Sequence, residues 1–351
     1  MLCALIMAGG KGTRFWPLST EKKPKQFLNL LADKTMIQMT VDRLRNLIPT
    51  DRIFIVTSEM YKELVKEQLP ELPEKNIILE PVGRNTAPCI ALSAMLIEKQ
   101  FKDSTIAVLP ADHLIKDENE FNDVLKVACT YVENNEEHIV TLGIKPSRPE
   151  TGYGYINYSD KIHEINNHDI IKVNKFVEKP SLEIAKRYVE LGNYLWNSGM
   201  FVWKAKTIIE LCKLYIENTY EILNEIALCK EEEFEEKLNE KYQYVDNISV
   251  DYGIMEKASN ICVIPSDFGW DDIGTWDAVE RYRVKDTNDN IYEGNIKSIK
   301  SKNNIIISKS KSITILDIEN IYCIETDDGI FIGKKESINN LKNIKDDYKL
   351  A

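Results

Sequence analysis

Five short apolar runs, separated by stretches of helical periodicity, constrain what the first half of this chain can become. Residues 2–7, 53–57, 77–79, 105–109 and 139–144 have the length and apolar content of buried strands. Between them lie amphipathic segments; in 35–48, for example, Ile37, Val41, Leu44 and Ile48 share one helical face. Strands alternating with helices build right-handed βαβ units and a mostly parallel sheet. At 351 residues, 43% of them hydrophobic, the chain is long enough for roughly two domains with full cores.

From Thr151 the texture is mixed. Extended segments at 155–158, 170–177 and 195–203 interleave with helical ones, and the charge-dense Glu231–Lys241 reads as a solvated helix face. Past Asp286 the pairs Ile305/Ile307, Ile313/Ile315, Ile321/Cys323 and Ile330/Ile332 alternate with period two, broken by Asn303-Asn304 and Asp327-Asp328-Gly329. That pattern predicts a small all-β appendage of short strands, joined by a helical linker around 276–285 and closed by a helix over 337–348. Fewer than about 70 residues rarely form a self-sufficient core, so these strands need a partner surface on the rest of the chain or on a second subunit.

Composition removes several classes of function. Forty-five Lys and Arg against fifty-six Asp and Glu leave a net charge of −11, so no nucleic-acid partner is expected. No apolar run approaches the roughly 18 residues of a membrane span, and the apolar N-terminus lacks the basic start of a signal peptide. Seven cysteines are scattered without a CxxC pair, and His113, His138, His163 and His168 show no ligand or triad spacing. A reducing, cytoplasmic location follows as the expectation.

The first strand runs directly into Ala8-Gly9-Gly10-Lys11-Gly12-Thr13-Arg14. Glycine-rich backbone approaches a ligand closely and points its N–H groups at phosphate oxygens. Neither the dinucleotide fingerprint nor the P-loop order fits, because Phe15 stands where a third glycine belongs and no Gly-Lys-Ser/Thr follows at the required distance. Lys11, Arg14, Lys22, Lys23 and Lys25 nevertheless gather near this loop in a net-acidic chain, which suits a polyphosphate. Asp112 falls just past the strand at 105–109, at the carboxyl end where open α/β sheets bind ligands, although a lone Asp there could equally cap a helix. Asp271 and Asp272 offer further carboxylates.

Gly9-Gly10-Lys11-Gly12-Thr13-Arg14-Phe15-Trp16-Pro17-Leu18-Ser19 with Pro24-Lys25-Gln26-Phe27 resembles the signature of the sugar-1-phosphate nucleotidylyltransferases, in the form of their guanylyl branch. Further segments match in order: Glu80-Pro81 with Gly83-Arg84-Asn85-Thr86-Ala87-Pro88, Leu109-Pro110-Ala111-Asp112-His113 and Thr151-Gly152-Tyr153-Gly154-Tyr155-Ile156. Phe176-Val177-Glu178-Lys179-Pro180, Trp196-Asn197-Ser198-Gly199-Met200-Phe201 and Trp270-Asp271-Asp272-Ile273-Gly274-Thr275-Trp276 complete the series.

The resemblance implies an α/β, Rossmann-like nucleotide-diphospho-sugar transferase fold with a mixed, mostly parallel sheet and a small C-terminal β-domain resembling a short left-handed β-helix. Its domains would be a catalytic domain over 1–265, a linker over 266–286 carrying the Asp271-Asp272 motif, and a β-domain with a terminal helix over 287–351. The implied reaction is transfer of GMP from GTP to α-D-mannose 1-phosphate, giving GDP-mannose and diphosphate. A sibling enzyme for another sugar, such as a heptose 1-phosphate, and a catalytically silent nucleotide-binding regulator are the alternatives. By resemblance, Ala8, Gly9, Gly10, Gly12, Thr13, Arg14, Lys25, Arg84, Asn85, Thr86 and Asp112 belong to the nucleotide. Gly152, Tyr153, Glu178, Lys179 and Asn197 belong to the sugar phosphate, and Mg²⁺ to Asp112 and Asp272, with Asp271 as the lower-ranked ligand. Arg14, Lys25, Asp112 and Lys179 are the expected catalytic set. A homodimer is expected, and no fused isomerase activity, since no cupin-like segment follows Leu350.

Overall fold

The apolar runs assemble into one nine-stranded sheet. In the computed structural model, which describes residues 1–341 and 343–344, its strands are β1 (Leu2–Met7), β2 (Ile53–Ser58), β3 (Ile77–Glu80), β4 (Thr105–Pro110), β5 (Ile139–Ile144), β6 (Tyr155–Ile165), β7 (His168–Val177), β8 (Tyr194–Lys204) and β9 (Ile261–Ser266). The order is β3-β2-β1-β4-β8-β5-β9-β7-β6, with β8 also pairing β6. β3, β2, β1 and β4 form the expected parallel block, and β8 enters antiparallel between β4 and β5. Strand order reverses between β1 and β4, so their carboxyl ends flank a topological switch point.

Burial explains the unbroken apolar composition of the inner strands. Cys3, Leu5, Phe54, Val56, Ile106 and Val108 pack in one core with Ile90, Leu92, Ala94 and Ile97 of the helix Thr86–Gln100. The amphipathic stretch at 35–48 is helical only over Met36–Asp42 and continues as turns, yet Ile37, Val41, Leu44 and Ile48 are all buried as the periodicity requires. β6 extends well past 158 because 159–165 pair with β7 as a largely exposed ribbon whose polar side chains carry no core signal. Asn166 and Asn167 turn that hairpin with φ of 50° and 66°, the pair of positive values that a two-residue hairpin loop favours. Among the described residues no helix is long and apolar enough to cross a membrane.

The chain divides into two compact units, Met1–Gly9 with Thr40–Trp270, and Gly10–Met39 with the chain from Asp271 onward. The sequence reading groups 10–39 with the N-terminal domain; in the structure they belong with the C-terminal strands. Within this second unit Phe15 meets Trp276 edge-on at 5.6 Å, Trp16 meets Phe331 at 4.7 Å, and Arg283 Nε donates to the Leu30 carbonyl at 2.6 Å.

The C-terminal strands are β10 (Ile291–Glu293), β11 (Ile296–Ile299), β12 (Ile305–Ile307), β13 (Ile313–Leu316), β14 (Ile321–Thr326) and β15 (Gly329–Lys334). β10, β12 and β14 stack in parallel, β11 pairs β13 in parallel, and β15 closes the larger sheet antiparallel. Such stacked rungs are β-helix-like, with Ile306, Ile315 and Cys323 in their core. Buried Asn304 donates to Asn290 Oδ1 at 3.0 Å and accepts from the Ile321 N–H at 3.0 Å, tying one rung to the next. Lys335–Asn340 is a short 3-10 helix; the expected helix over 337–348 falls partly outside the described residues.

Candidate active site

Beyond β1, Ala8 is pinned by its own backbone. Its N–H donates to the Val56 carbonyl at 2.8 Å, and its carbonyl accepts from Thr57 Oγ1 at 2.9 Å. Gly9 is exposed, and a Cβ there would lie 3.2 Å from Glu80 Oε2. Glu80 ends β3, is buried, and accepts the Tyr242 hydroxyl on Oε1 at 2.6 Å. Burial pushes its carboxyl up to about 7. Glu80 is a residue that sequence reasoning missed; its available signal is an acid closing the apolar run Ile77-Ile78-Leu79.

The expected nucleotide loop is occupied with holding itself in place. Asn85 caps the helix Thr86–Gln100 at φ 68°, its side chain accepting the Thr86 N–H at 3.0 Å. Thr86 Oγ1 accepts the Val250 N–H at 2.8 Å, and the Arg84 guanidinium donates to the Gln243 carbonyl.

Asp112 is half-buried, two residues past β4. It does not cap the next helix, which starts at Glu118 with Asp117 as its cap. His113 Nε2 lies 3.9 Å from Asp112 Oδ1, outside hydrogen-bond range. Trp270 Nε1 donates to His113 Nδ1 at 3.0 Å, so a neutral His113 carries its proton on Nε2, the nitrogen nearer Asp112. The Trp270 ring also meets Tyr153 edge-on at 5.2 Å, and Tyr153 meets Trp196 at 5.2 Å. Trp196 and Phe201 are buried core residues.

Of the expected sugar-phosphate residues, Glu178, Lys179 and Asn197 come together at the end of β7. Lys179 takes φ 46°, a left-handed conformation costing about 1 kcal/mol for a non-glycine residue, and its Nζ lies 3.2 Å from Glu178 Oε1. A Cβ on Gly154 would stand 2.4 Å from Glu178 Oε2 and 3.2 Å from Asn197 Cβ, so it is here that the missing side chain admits both groups. Gly152, also expected at the sugar phosphate, donates its N–H to Glu150 Oε1 at 3.1 Å. Asn197 Oδ1 accepts the Gly199 N–H at 2.9 Å while Nδ2 donates to Asp251 Oδ1 at 2.9 Å. Asp251 opens a π-helical turn, Asp251–Met255, and is a residue that sequence reasoning missed. Desolvation, reinforced by the negative charge of Glu178, pushes its carboxyl up to about 6.

In the second unit Gly12 sits at φ 46°, and a Cβ there would come within 2.6 Å of the Lys25 nitrogen. Gln26 Nε2 donates to the Gly10 carbonyl at 2.9 Å. Lys25 is only 5% exposed, and its ammonium donates to the Asp272 carbonyl at 2.5 Å. Around Gly274 the position of an absent Cβ lies 3.0 Å from Asp272 Oδ2 and 3.4 Å from Arg14 Nη1. Lys11 is exposed and lies 3.6 Å from Glu21, and Lys22 and Lys23 are exposed, so of the five expected cations Arg14 and Lys25 flank the Asp272 segment.

The structure separates the two neighbouring aspartates. Asp271 is buried with both carboxylate oxygens engaged: Oδ1 accepts the Ile273 N–H at 2.8 Å, and Oδ2 accepts Arg281 Nη2 and the Tyr282 hydroxyl, both at 2.9 Å. Asp272 is half-buried, with its carboxylate beside Gly274. No group of three or more His, Cys, Asp or Glu able to hold a metal occurs among the described residues. Single carboxylates such as Asp112 and Asp272 suit a hard divalent ion that takes the rest of its oxygens from water and phosphate, and do not suit a closed zinc cage.

The sheet is that of an α/β protein with a ligand-binding switch point, and the chain belongs to the nucleotidyl transferase family, whose model matches residues 3–289. Its relatives are narrower than that class. Mannose-1-phosphate guanylyltransferase 2 of Escherichia coli O157:H7 is 37% identical over 99% of this chain and 74% of its own length. The mannose-1-phosphate guanylyltransferase of Salmonella montevideo is 36% identical over 100% and 74%, and the alginate biosynthesis protein AlgA of Pseudomonas aeruginosa 35% over 98% and 71%. A crystal structure described as a mannose-1-phosphate geranyltransferase from Thermus thermophilus superposes with a TM-score of 0.84 at 30% identity, covering 99% of both chains. The expected α/β fold with a small C-terminal β-part is thereby borne out.

Proposed function

We propose that this protein is a mannose-1-phosphate guanylyltransferase, transferring GMP from GTP to α-D-mannose 1-phosphate with release of diphosphate. The observation that carries the reading is likeness over nearly the whole chain to enzymes of that name. The reaction demands little acid–base chemistry. The oxygen of a sugar phosphate is already an anionic nucleophile, so the protein has to align two anions and offset charge during in-line attack on the α-phosphorus. Cations and backbone donors, not a triad, are the groups such a site requires.

In this reading Ala8, Gly9, Gly10, Gly12 and Thr13 present backbone to the triphosphate, with Arg14 and Lys25 offsetting its charge. Lys25 is already held by the Asp272 carbonyl, which limits how far its ammonium swings. Arg84, Asn85 and Thr86 border the base. Glu80 supplies an acceptor suited to the N1–H and N2–H donors of guanine. Lys179 takes the phosphate of mannose 1-phosphate, while Glu178, Asn197 and the loop at Gly152-Tyr153 take the sugar. Asp112 and Asp272 would hold Mg²⁺, which when bound supplies Lewis-acid charge offset at phosphate oxygens.

Diphosphate release measured for GTP, ATP, UTP and dTTP, each crossed with a panel of hexose and heptose 1-phosphates, tests the reading. The expected result is turnover confined to GTP with mannose 1-phosphate. A different preferred sugar makes the protein a sibling enzyme, and GTP binding without any turnover makes it a regulator. The seven free cysteines fit a reducing, cytoplasmic compartment, and a homodimer is the assembly we propose.

A further inference from the structure

The amide of Asn197 is held from two sides. Its carbonyl accepts the Gly199 N–H and one amide hydrogen goes to Asp251, which leaves a single N–H and a single lone pair for a ligand. Asn197 and Glu178 close in on the space over Gly154, and the Asn197 N–H donates to the Gly154 carbonyl at 2.8 Å, so main chain and side chain of this asparagine are fixed together. Asp251 comes from a separate element. Its π-helical turn is anchored upstream where Val250 donates to Thr86 and the Ile248 carbonyl accepts the Ala87 N–H at 3.1 Å. π-helical turns are rare and concentrate at functional sites. Among the charged groups acting on Asp251, Glu178 opposes its ionisation and Lys179 favours it. A carboxylate kept only for stability gains nothing from facing a second one.

We infer that Asp251 is a positioning residue for the sugar phosphate: it fixes the rotation of the Asn197 amide so that one N–H and one carbonyl lone pair meet a sugar hydroxyl. This inference rests on the assignment of Asn197 to the sugar and goes beyond it. A hydroxyl both donates and accepts, so an amide locked in one rotation reads its position, whereas a rotating amide does not.

Four variants test it, Asp251→Ala, Asp251→Asn, Asn197→Ala and the double alanine variant, with KM measured for both substrates and binding measured for GDP-mannose and GDP. Asp251→Ala is expected to raise KM for mannose 1-phosphate about tenfold while KM for GTP and kcat stay within about threefold. It should weaken GDP-mannose relative to GDP. Asp251→Asn, the same shape and still an acceptor toward Asn197, should restore most of the affinity. The double variant should be no worse than Asn197→Ala alone, because coupled residues are not additive. Independent, multiplying losses, or equal losses for both substrates, overturn the positioning role. An Asn197→Ala variant with normal affinity for mannose 1-phosphate instead overturns the sugar-site assignment. Should Asp251→Ala not fold, Asp251→Ser, too short to reach Asn197, takes its place with the same expected outcomes.

Discussion

Adjacent aspartates at 271 and 272 should have opposite phenotypes, and the structure gives the size of the difference. Asp271→Ala removes the acceptor for a buried N–H, a tyrosine hydroxyl and a guanidinium. Orphaning the Ile273 N–H costs about 1–2 kcal/mol and losing the Tyr282 bond to a carboxylate about 1 kcal/mol. The Arg281 side chain is 47% exposed, so its share is discounted to well under 1 kcal/mol. The sum is about 3 kcal/mol of stability, an upper figure because the three bonds share one group. Asp272→Ala leaves those three bonds in place and should cost less stability than Asp271→Ala. Its effect belongs to turnover, with kcat down at least about a hundredfold, roughly 2.7 kcal/mol in the barrier. Urea unfolding followed by fluorescence, paired with diphosphate release from each folded variant, reads both quantities. Equal destabilisation by the two substitutions, or an Asp271→Ala protein as stable as its parent, refutes the reasoning.

Three further outcomes follow from the same geometry. Asp112→Asn should lower kcat about a hundredfold with the fold intact by circular dichroism, since Asp112 caps no helix; normal turnover in the folded variant removes it from the site. Lys179→Ala should raise KM for mannose 1-phosphate far more than for GTP, and Lys25→Ala the reverse; identical steady-state patterns would end that division of labour. Glu80 has a folded-state carboxyl raised to about 7, so the native state holds its proton between pH 4.5 and 7 where the unfolded chain has lost it, and stability falls as pH rises through that window. Glu80→Gln, which still accepts from Tyr242, should therefore gain in denaturant midpoint over the parent at pH 8, and that gain should shrink toward pH 4.5; a gap independent of pH counts against the buried carboxyl.

How much of this was legible in the residues depends on the range of the interaction. The inner strands announced themselves because burial on both faces leaves only apolar residues, and Gly9-Gly10-Lys11-Gly12 marked the turn after β1. Side-chain bonding was not legible: nothing in the pair Asp271-Asp272 announces that Ile273, Arg281 and Tyr282 bond to the first of them. Asp251 was hidden for a similar reason, since its partner Asn197 lies 54 positions away and a π-turn has no composition of its own. The sequence reading assigned Gly152 to the sugar and passed over Gly154, the glycine beside which Glu178 and Asn197 stand. The ribbon at 159–165 escaped because a strand exposed on both faces carries neither period.

The membership of the second unit bears on how the protein is made. Gly10–Met39 emerges from the ribosome early, but the strands and the Trp276 helix it packs with come from Asp271 onward. At 5–20 residues per second, the roughly 230 intervening residues take on the order of 10–50 s to synthesise. Throughout that interval Phe15, Trp16 and Phe27, all buried in the finished protein, lack their final surroundings. Nascent chains arrested before Asp271 should therefore have the glycine loop open to protease and captured by chaperones that bind exposed aromatic segments. Synthesis of the residues from Asp271 onward, not of the loop itself, becomes the moment at which Arg14 and Lys25 are set in place.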